Sequence, residues 1–250
     1  MTAILTAFRF LTIFPLGKGE EVEPKALASA MAWFPAVGLA LGFLLYLSDR
    51  IFQRLINQQV ADILLIALLA LFSGALHLDG FADTLDGISG GRGDKTRILA
   101  IMKDSRIGAV GVVGLVMLFM LKYECLESVG WNMRAAALIV TPMVARWSQV
   151  LMAFGSTYAR SDGSLAQPFV EHLELGHFMI ATATTAIALG FAAVKLANPA
   201  VLFIIVAAGV FALLSRMYFS RKIGGVTGDT IGAVSETCEV LVLLGFVVAG

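Results

Sequence analysis

Six or seven stretches of this chain approach the roughly 20 consecutive apolar residues that a membrane-crossing helix needs. Lipid can solvate such runs, but a soluble core built from 250 residues cannot hide all of them. Apolar types make up 58% of the chain and charged types only 14%, against roughly 25% charged in a soluble domain. A large soluble helical core would need many more polar faces. The expected fold is therefore all-α. It is a polytopic transmembrane helical bundle of about six to seven spans, forming a single integral membrane domain over residues 1–250.

The runs place spans at about 31–48, 60–78, 107–121, 135–155, 178–196 and 200–215, with a last helix from about residue 231 onward. Pro142 and Arg146 interrupt the fourth. The opening segment, MTAILTAFRFLTIFPLG, carries its one charge, Arg9, inside the apolar run, and no small-residue cleavage site follows. It reads as an amphipathic or re-entrant segment at the membrane surface rather than a signal peptide, and Pro15 and Gly17 end it. With the N-terminus in the cytoplasm, the inner segments hold Arg9, Lys18, Lys25, Arg92, Lys95, Arg97, Lys103, Arg106, Arg160, Arg216, Arg221 and Lys222. The outer ones hold only Arg50, Arg54, Lys122, Arg134 and Lys195. That bias agrees with the positive-inside rule. It puts two polar segments, 79–106 and 216–229, on the same cytoplasmic side of what would be a bacterial inner membrane. The net charge of zero argues against a nucleic-acid partner. Cys125 and Cys238 lie far apart and form neither a disulfide framework nor a zinc pattern.

The first polar segment reads HLDGFADTLDGISGGRGDKTRILAIMKDSRIG. Asp79, Asp83 and Asp86 stand at i, i+4 and i+7, so a helix carries them on one face. Like charges on one face repel unless something compensates. A divalent cation is the economical partner, because carboxylate oxygens suit magnesium, calcium or manganese. Asp104 could close the site from the start of the next span. Gly80 and Gly87 leave room for a partner helix or ligand beside the carboxylates, and Gly90, Gly91 and Gly93 break the helix into a turn. Arg92, Lys103 and Arg106 then supply cations for a phosphate group, with Lys95 and Arg97 nearby. Acid for metal beside base for phosphate is the equipment of phosphoryl transfer. The bland alternative is a solvated, charge-mixed loop. His77 lies about 160° around the helix from Asp79 and reads as a packed or interfacial histidine.

The run Asp79-Gly-Phe-Ala-Asp83-Thr-Leu-Asp86-Gly, followed by Ile101-Met-Lys103-Asp104-Ser105-Arg106-Ile-Gly108, resembles the adenosylcobinamide-GDP ribazoletransferase (cobalamin or cobalamin-5′-phosphate synthase) family. Phe8-Arg9-Phe-Leu-Thr-Ile-Phe-Pro15 and Gly224-Gly-Val-Thr-Gly-Asp229-Thr-Ile-Gly-Ala resemble it too, so the likeness covers nearly the whole length. It implies a magnesium-dependent reaction in which adenosylcobinamide-GDP is joined to α-ribazole or its 5′-phosphate and GMP is released. A weaker similarity is to membrane CDP-alcohol phosphotransferases. Asp83, Asp86 and Asp104 fall on three of that family's four aspartate places, Gly108 stands at the fourth, and Gly90-Gly91 replaces its Ala-Arg. The partial match leaves one or two metals open.

The second polar segment, SRKIGGVTGDTIGAVSETCEV, adds Asp229 and Glu236. Boundary or intramembrane acids default to functional candidates, although Asp229 could instead cap the last helix. Glu239 and Arg146 read as paired or packed, with phosphate binding as the alternative for Arg146, and Arg9 could snorkel or reach the same site. The expected roles are metal binding and catalysis by Asp79, Asp83, Asp86 and Asp104, with Glu236 as a further catalytic candidate. Arg92, Lys103, Arg106 and Asp229 would bind substrate phosphate. A CDP-alcohol phosphotransferase making lipid is the closest alternative. A cation transporter is the other, disfavoured because its acids should sit at the midplane of several spans. The sequence is compatible with a homo-oligomer as well as a single chain.

Overall fold

The computed structural model describes residues 2–16, 23–160 and 164–250. Gly17 and Lys18 lie outside them. Among the described residues the chain forms twelve α-helices, and the β contact found is an isolated parallel bridge between Tyr158 and Val226. The helices are α1 (Ala3–Leu11), α2 (Pro24–Ala30), α3 (Phe34–Phe52), α4 (Gln58–Phe72), α5 (Leu76–Gly90) and α6 (Lys95–Met102), then α7 (Ala109–Ser128), α8 (Trp131–Ala153), α9 (Gln167–Glu171), α10 (Leu175–Lys195), α11 (Phe203–Ile223) and α12 (Gly228–Ala249). Six stretches are long and apolar enough to cross a membrane, and seven if the bent pair α4–α5 counts as one span. In lipid a helix satisfies its own backbone groups, which is why the apolar runs fold this way.

Several expected boundaries move. The first span is longer than 31–48, because Pro24 starts a helix that passes through a 3-10 turn, Met31–Trp33, into α3. The run 60–78 is not one helix. Gly74 (φ 61°) and Ala75 (φ 56°) both adopt the left-handed conformation, and α5 leaves α4 at 90°. Residues 76–90 form α5, the helix that the carboxylate spacing requires, the glycine turn follows it as expected, and α6 is an added helix before the next span. Residues 216–223 belong to α11, so the second polar segment shrinks to a short connection. The N-terminal helix stops at Leu11, before Pro15.

Pro142 and Arg146 do not interrupt α8, which runs unbroken at the centre of the bundle with every residue from 140 to 153 buried. Close packing against α3 makes this tolerable. A Cβ on Gly38 would lie 2.4 Å from the Pro142 carbonyl oxygen, and one on Gly42 2.4 Å from that of Ile139. Glycines four apart let two backbones approach in lipid, where van der Waals contact drives association.

Charges inside the bundle are paired, as their desolvation requires. Arg134 donates to Asp49 at 2.7 Å and also to Asp62, tying the start of α8 to the end of α3 and the start of α4. Lys122 bonds Glu236 and, at 2.6 Å, Glu239, while Arg146 bonds Glu239. Lys122 and Arg134 are therefore structural cations of the interior rather than residues of outer loops. At the other end of the bundle from Arg134, the bend before α5, the α8–α10 connection and the α11–α12 connection meet.

Candidate active site

The site begins with the α5–α12 crossing. A Cβ on Gly80 would sit 2.8 Å from the Asp229 Cα, and one on Gly232 would sit 3.2 Å from the His77 Cα. These two glycines bring the first turns of both helices against each other, so the α5 carboxylates and Asp229 share one neighbourhood. Asp83 feels Asp79, Asp229 and Asp86 as like charges and Arg160 as the opposing one.

Asp229 stands in the first turn of α12 but does not cap it. Thr227 does, accepting from the Thr230 N–H while the Thr230 hydroxyl accepts from the Thr227 N–H. Asp229 is free to pair outward, and Arg160 donates to it at 2.6 Å. Arg160 is held there by the strand-like contact of the two connections. Ala159 N–H donates to Val226 O and Val226 N–H to Thr157 O, each at 2.9 Å. Gly225 makes that contact possible, since a Cβ there would lie 2.1 Å from the Thr157 carbonyl oxygen.

A cavity of 220 Å³ opens beside this group. His77, Asp79, Gln149, Arg160 and Asp229 line one side, and Phe10, Met31, Phe34 and Phe169 line another. His77 reaches it although it lies off the carboxylate face, because the cavity wraps the first turn of α5 from Leu76 to Asp79. The Gln149 amide nitrogen lies 3.0 Å from His77 Nε2 and donates to the Ser235 hydroxyl at 2.8 Å.

The remaining expected site residues go elsewhere. Asp86 is buried and accepts the backbone N–H groups of Gly108 at 2.6 Å and Gly111 at 2.9 Å. It thus caps the N-terminus of α7 from another helix, and both glycines are needed because a Cβ on either would come within 2.5 Å of its carboxylate. Asp104 lies on the α6–α7 connection, where Arg106 donates to it at 2.6 Å and holds its carboxyl down to about 2. Arg92, Lys103 and Arg106 are exposed on that side. Glu236 is turned into the bundle toward Lys122 and does not line the cavity. Among the described residues, no three His, Cys, Asp or Glu side chains are gathered as a ready metal cage. The structure thus brings together Asp79, Asp83 and Asp229, and leaves Asp86, Asp104 and Glu236 in other contacts.

A family model described as cobalamin-5-phosphate synthase matches residues 3–247. An adenosylcobinamide-GDP ribazoletransferase of Geotalea daltonii is 43% identical over 248 residues, covering 98% of this chain and 96% of the relative. The chain belongs to the cobalamin-5-phosphate synthase family. Relatives of the same name from Syntrophobacter fumaroxidans (38% identical, 95% of each chain) and Caldanaerobacter subterraneus subsp. tengcongensis (33%, 98% of each) agree. No solved structure matches. As a cobalamin-5-phosphate synthase family member, the chain is a transferase of cobalamin biosynthesis carried on membrane-spanning helices, and the transporter reading falls away.

Within this synthase fold, Arg160 is the main site residue that the sequence reading passed over. It entered only as one of the inner basic residues. Its signal was its position, a lone arginine between two spans on the same side as Asp79 and Asp229. Gln149 left a fainter one, as an amide deep in an apolar helix.

Proposed function

We propose that this protein transfers the cobinamide phosphate of adenosylcobinamide-GDP to α-ribazole or α-ribazole 5′-phosphate. The observation that carries this is the meeting of Asp79 on α5, Asp229 on α12 and Arg160 on the α8–α10 connection at one cavity, with Asp83 close enough behind them to feel all three charges. A ribose hydroxyl oxygen forms the new bond to the phosphorus that bears cobinamide. The phosphoanhydride bond breaks, GMP leaves with the bridging oxygen, and the hydroxyl proton passes to a base.

The donor chemistry suits magnesium, although the side chains are not gathered as a cage. Asp79 and Asp229 line the cavity with Asp83 near them and one arginine opposing, an oxygen donor set with excess negative charge, and magnesium is bound through a few carboxylates plus substrate phosphate. Asp79, Asp83 and Asp229 would hold it, and when bound it neutralises charge developing on the pyrophosphate. Arg160 is placed to move between Asp229 and a phosphate oxygen, for which its planar fork is suited. Asp86 fixes the start of α7 against α5 and so keeps the carboxylate helix in place. We place this site on the cytoplasmic side of a bacterial inner membrane. The cations Lys95, Arg97, Arg160, Arg216, Arg221 and Lys222 gather at that end, whereas Lys122 and Arg134 no longer count for the opposite one.

The test uses detergent-purified protein with adenosylcobinamide-GDP, α-ribazole and magnesium, following GMP and corrinoid product. Asp79→Asn, Asp83→Asn and Asp229→Asn should each abolish turnover while the protein stays folded. No GMP release by the wild type would sink the reading.

A further inference from the structure

The cavity beside Asp79 has two unlike halves. Its polar half carries Asp79, Asp229 and Arg160. Its other half is an aromatic wall built from three distant parts of the chain. Phe10 on α1 and Phe34 at the start of α3 stack with ring centres 6.0 Å apart at 11°. Phe169 on α9 closes against both, 4.5 Å from Phe10 and 5.7 Å from Phe34. Met31 lies alongside, and Met31, Phe34 and Phe169 are all buried. A wall of this kind satisfies no hydrogen-bonding edge. It suits a flat, largely apolar ring, held by stacking and dispersion.

Resting on the transfer reaction proposed above, the geometry points to the aromatic wall of Phe10, Phe34 and Phe169 as the seat of the acceptor's dimethylbenzimidazole base. Two planar bases compete for it. Guanine, on the leaving nucleotide, carries donors and acceptors around its edges that this wall would leave unpaired, a costly state when buried. Dimethylbenzimidazole presents two methyl groups and a single free ring nitrogen. With the base against the phenylalanines, the attached ribose points to the half that holds Asp79 and Asp229, where its hydroxyl must meet phosphorus. Guanine and the corrin ring then remain outside the cavity. The wall is a specificity element, and it explains why α1 and α9, too short to span a membrane, are folded onto the bundle at this spot.

The experiment compares Phe169→Ala and the milder Phe169→Leu with wild type, in detergent, after thermal unfolding has shown each variant folded. Loss of a base–aromatic stack to alanine costs roughly 5- to 150-fold in affinity. The KM for α-ribazole should therefore rise about tenfold or more in Phe169→Ala, well beyond any change in the KM for adenosylcobinamide-GDP, with Phe169→Leu between. Free dimethylbenzimidazole, followed by its own fluorescence without donor present, should bind wild type and bind Phe169→Ala more weakly. An unchanged acceptor KM, or a rise confined to the donor KM that assigns the wall to guanine, overturns the proposal. Absence of transfer by the wild type overturns the reaction instead, and the base-binding measurement still decides the subsite.

Discussion

An alanine at position 80 tests how closely the carboxylates depend on the α5–α12 crossing. The added Cβ would lie 2.8 Å from the Asp229 Cα and 2.9 Å from its carbonyl oxygen. Carbon atoms rest at about 3.5–4.0 Å, so one backbone must retreat by about 0.7–1.2 Å. Both neighbours are main-chain atoms inside helices, and neither can swing aside as a side chain would. Overpacking of this kind costs about 1–3 kcal/mol, and alanine returns up to about 1 kcal/mol in helix propensity. The net loss of stability is then at most about 3 kcal/mol, and the protein should stay folded. Activity should suffer more, because a misplacement of about 1 Å can cost on the order of a hundredfold in rate. Gly80→Ala should therefore release GMP about 10- to 100-fold more slowly, with a modest fall in melting temperature. Gly190→Ala is the control, since a Cβ there meets nothing within 4 Å. Wild-type turnover in Gly80→Ala would falsify the view that this contact sets the carboxylate geometry.

Three other perturbations separate the roles of neighbouring groups. Asp86→Ala removes the acceptor for the Gly108 and Gly111 N–H groups and should lower stability by about 1–2 kcal/mol, as lost caps do. Asp86→Asn keeps one accepting oxygen and should lose less in thermal unfolding; equal inactivation of both with full stability would instead favour a metal ligand. Lys122→Met leaves Glu236 and Glu239 sharing Arg146 alone in the interior, which should destabilise by about 3–5 kcal/mol. Adding Glu236→Gln should restore part of that, and no recovery in the double variant counts against the pairing. Arg160→Ala should reduce kcat/KM on the order of a hundredfold, whereas Arg106→Ala, at an exposed residue, should change it less than about threefold. The reverse ranking in steady-state assays would move phosphate binding to the α6–α7 connection.

The spans were legible because lipid accepts only long apolar runs, and the runs at 135–155 and 178–196 lie within a few residues of the helices found, while α7 continues seven residues past the run 107–121, through the buried Lys122. The bend at Gly74–Ala75 was not. Residues 73–78 are mostly apolar, and a left-handed alanine leaves no compositional mark. The spacing of Asp79, Asp83 and Asp86 correctly placed three carboxylates on one helix. Periodicity assigns a face, however, and not what the face meets. Asp86 sits one turn further along, where α7 begins, and it spends both oxygens on backbone N–H groups. Asp104 read as a fourth member of the group because nothing local betrayed its tie to Arg106. Asp229, a candidate in the sequence, stands beside Asp79 and pairs with Arg160, and Gly80 was correctly read as a point of close approach. Arg160 remained hidden because ion pairs across chain separations of this size have no periodic signature. The aromatic wall was invisible for the same reason, its rings coming from α1, α3 and α9.

The bridge between Tyr158 and Val226 has a consequence for the order of events in biogenesis. Asp79 emerges from the ribosome well before Asp229, and at roughly 5–20 residues per second the interval is on the order of ten seconds. Throughout that time α5 holds its carboxylates against neither α12 nor a seated Arg160. Val226 and Asp229 arrive only with the final helix, and together they register the earlier connection that carries Arg160. On the proposed site, a chain shortened before Val226 is expected to lack both Asp229 and the contact that seats Arg160.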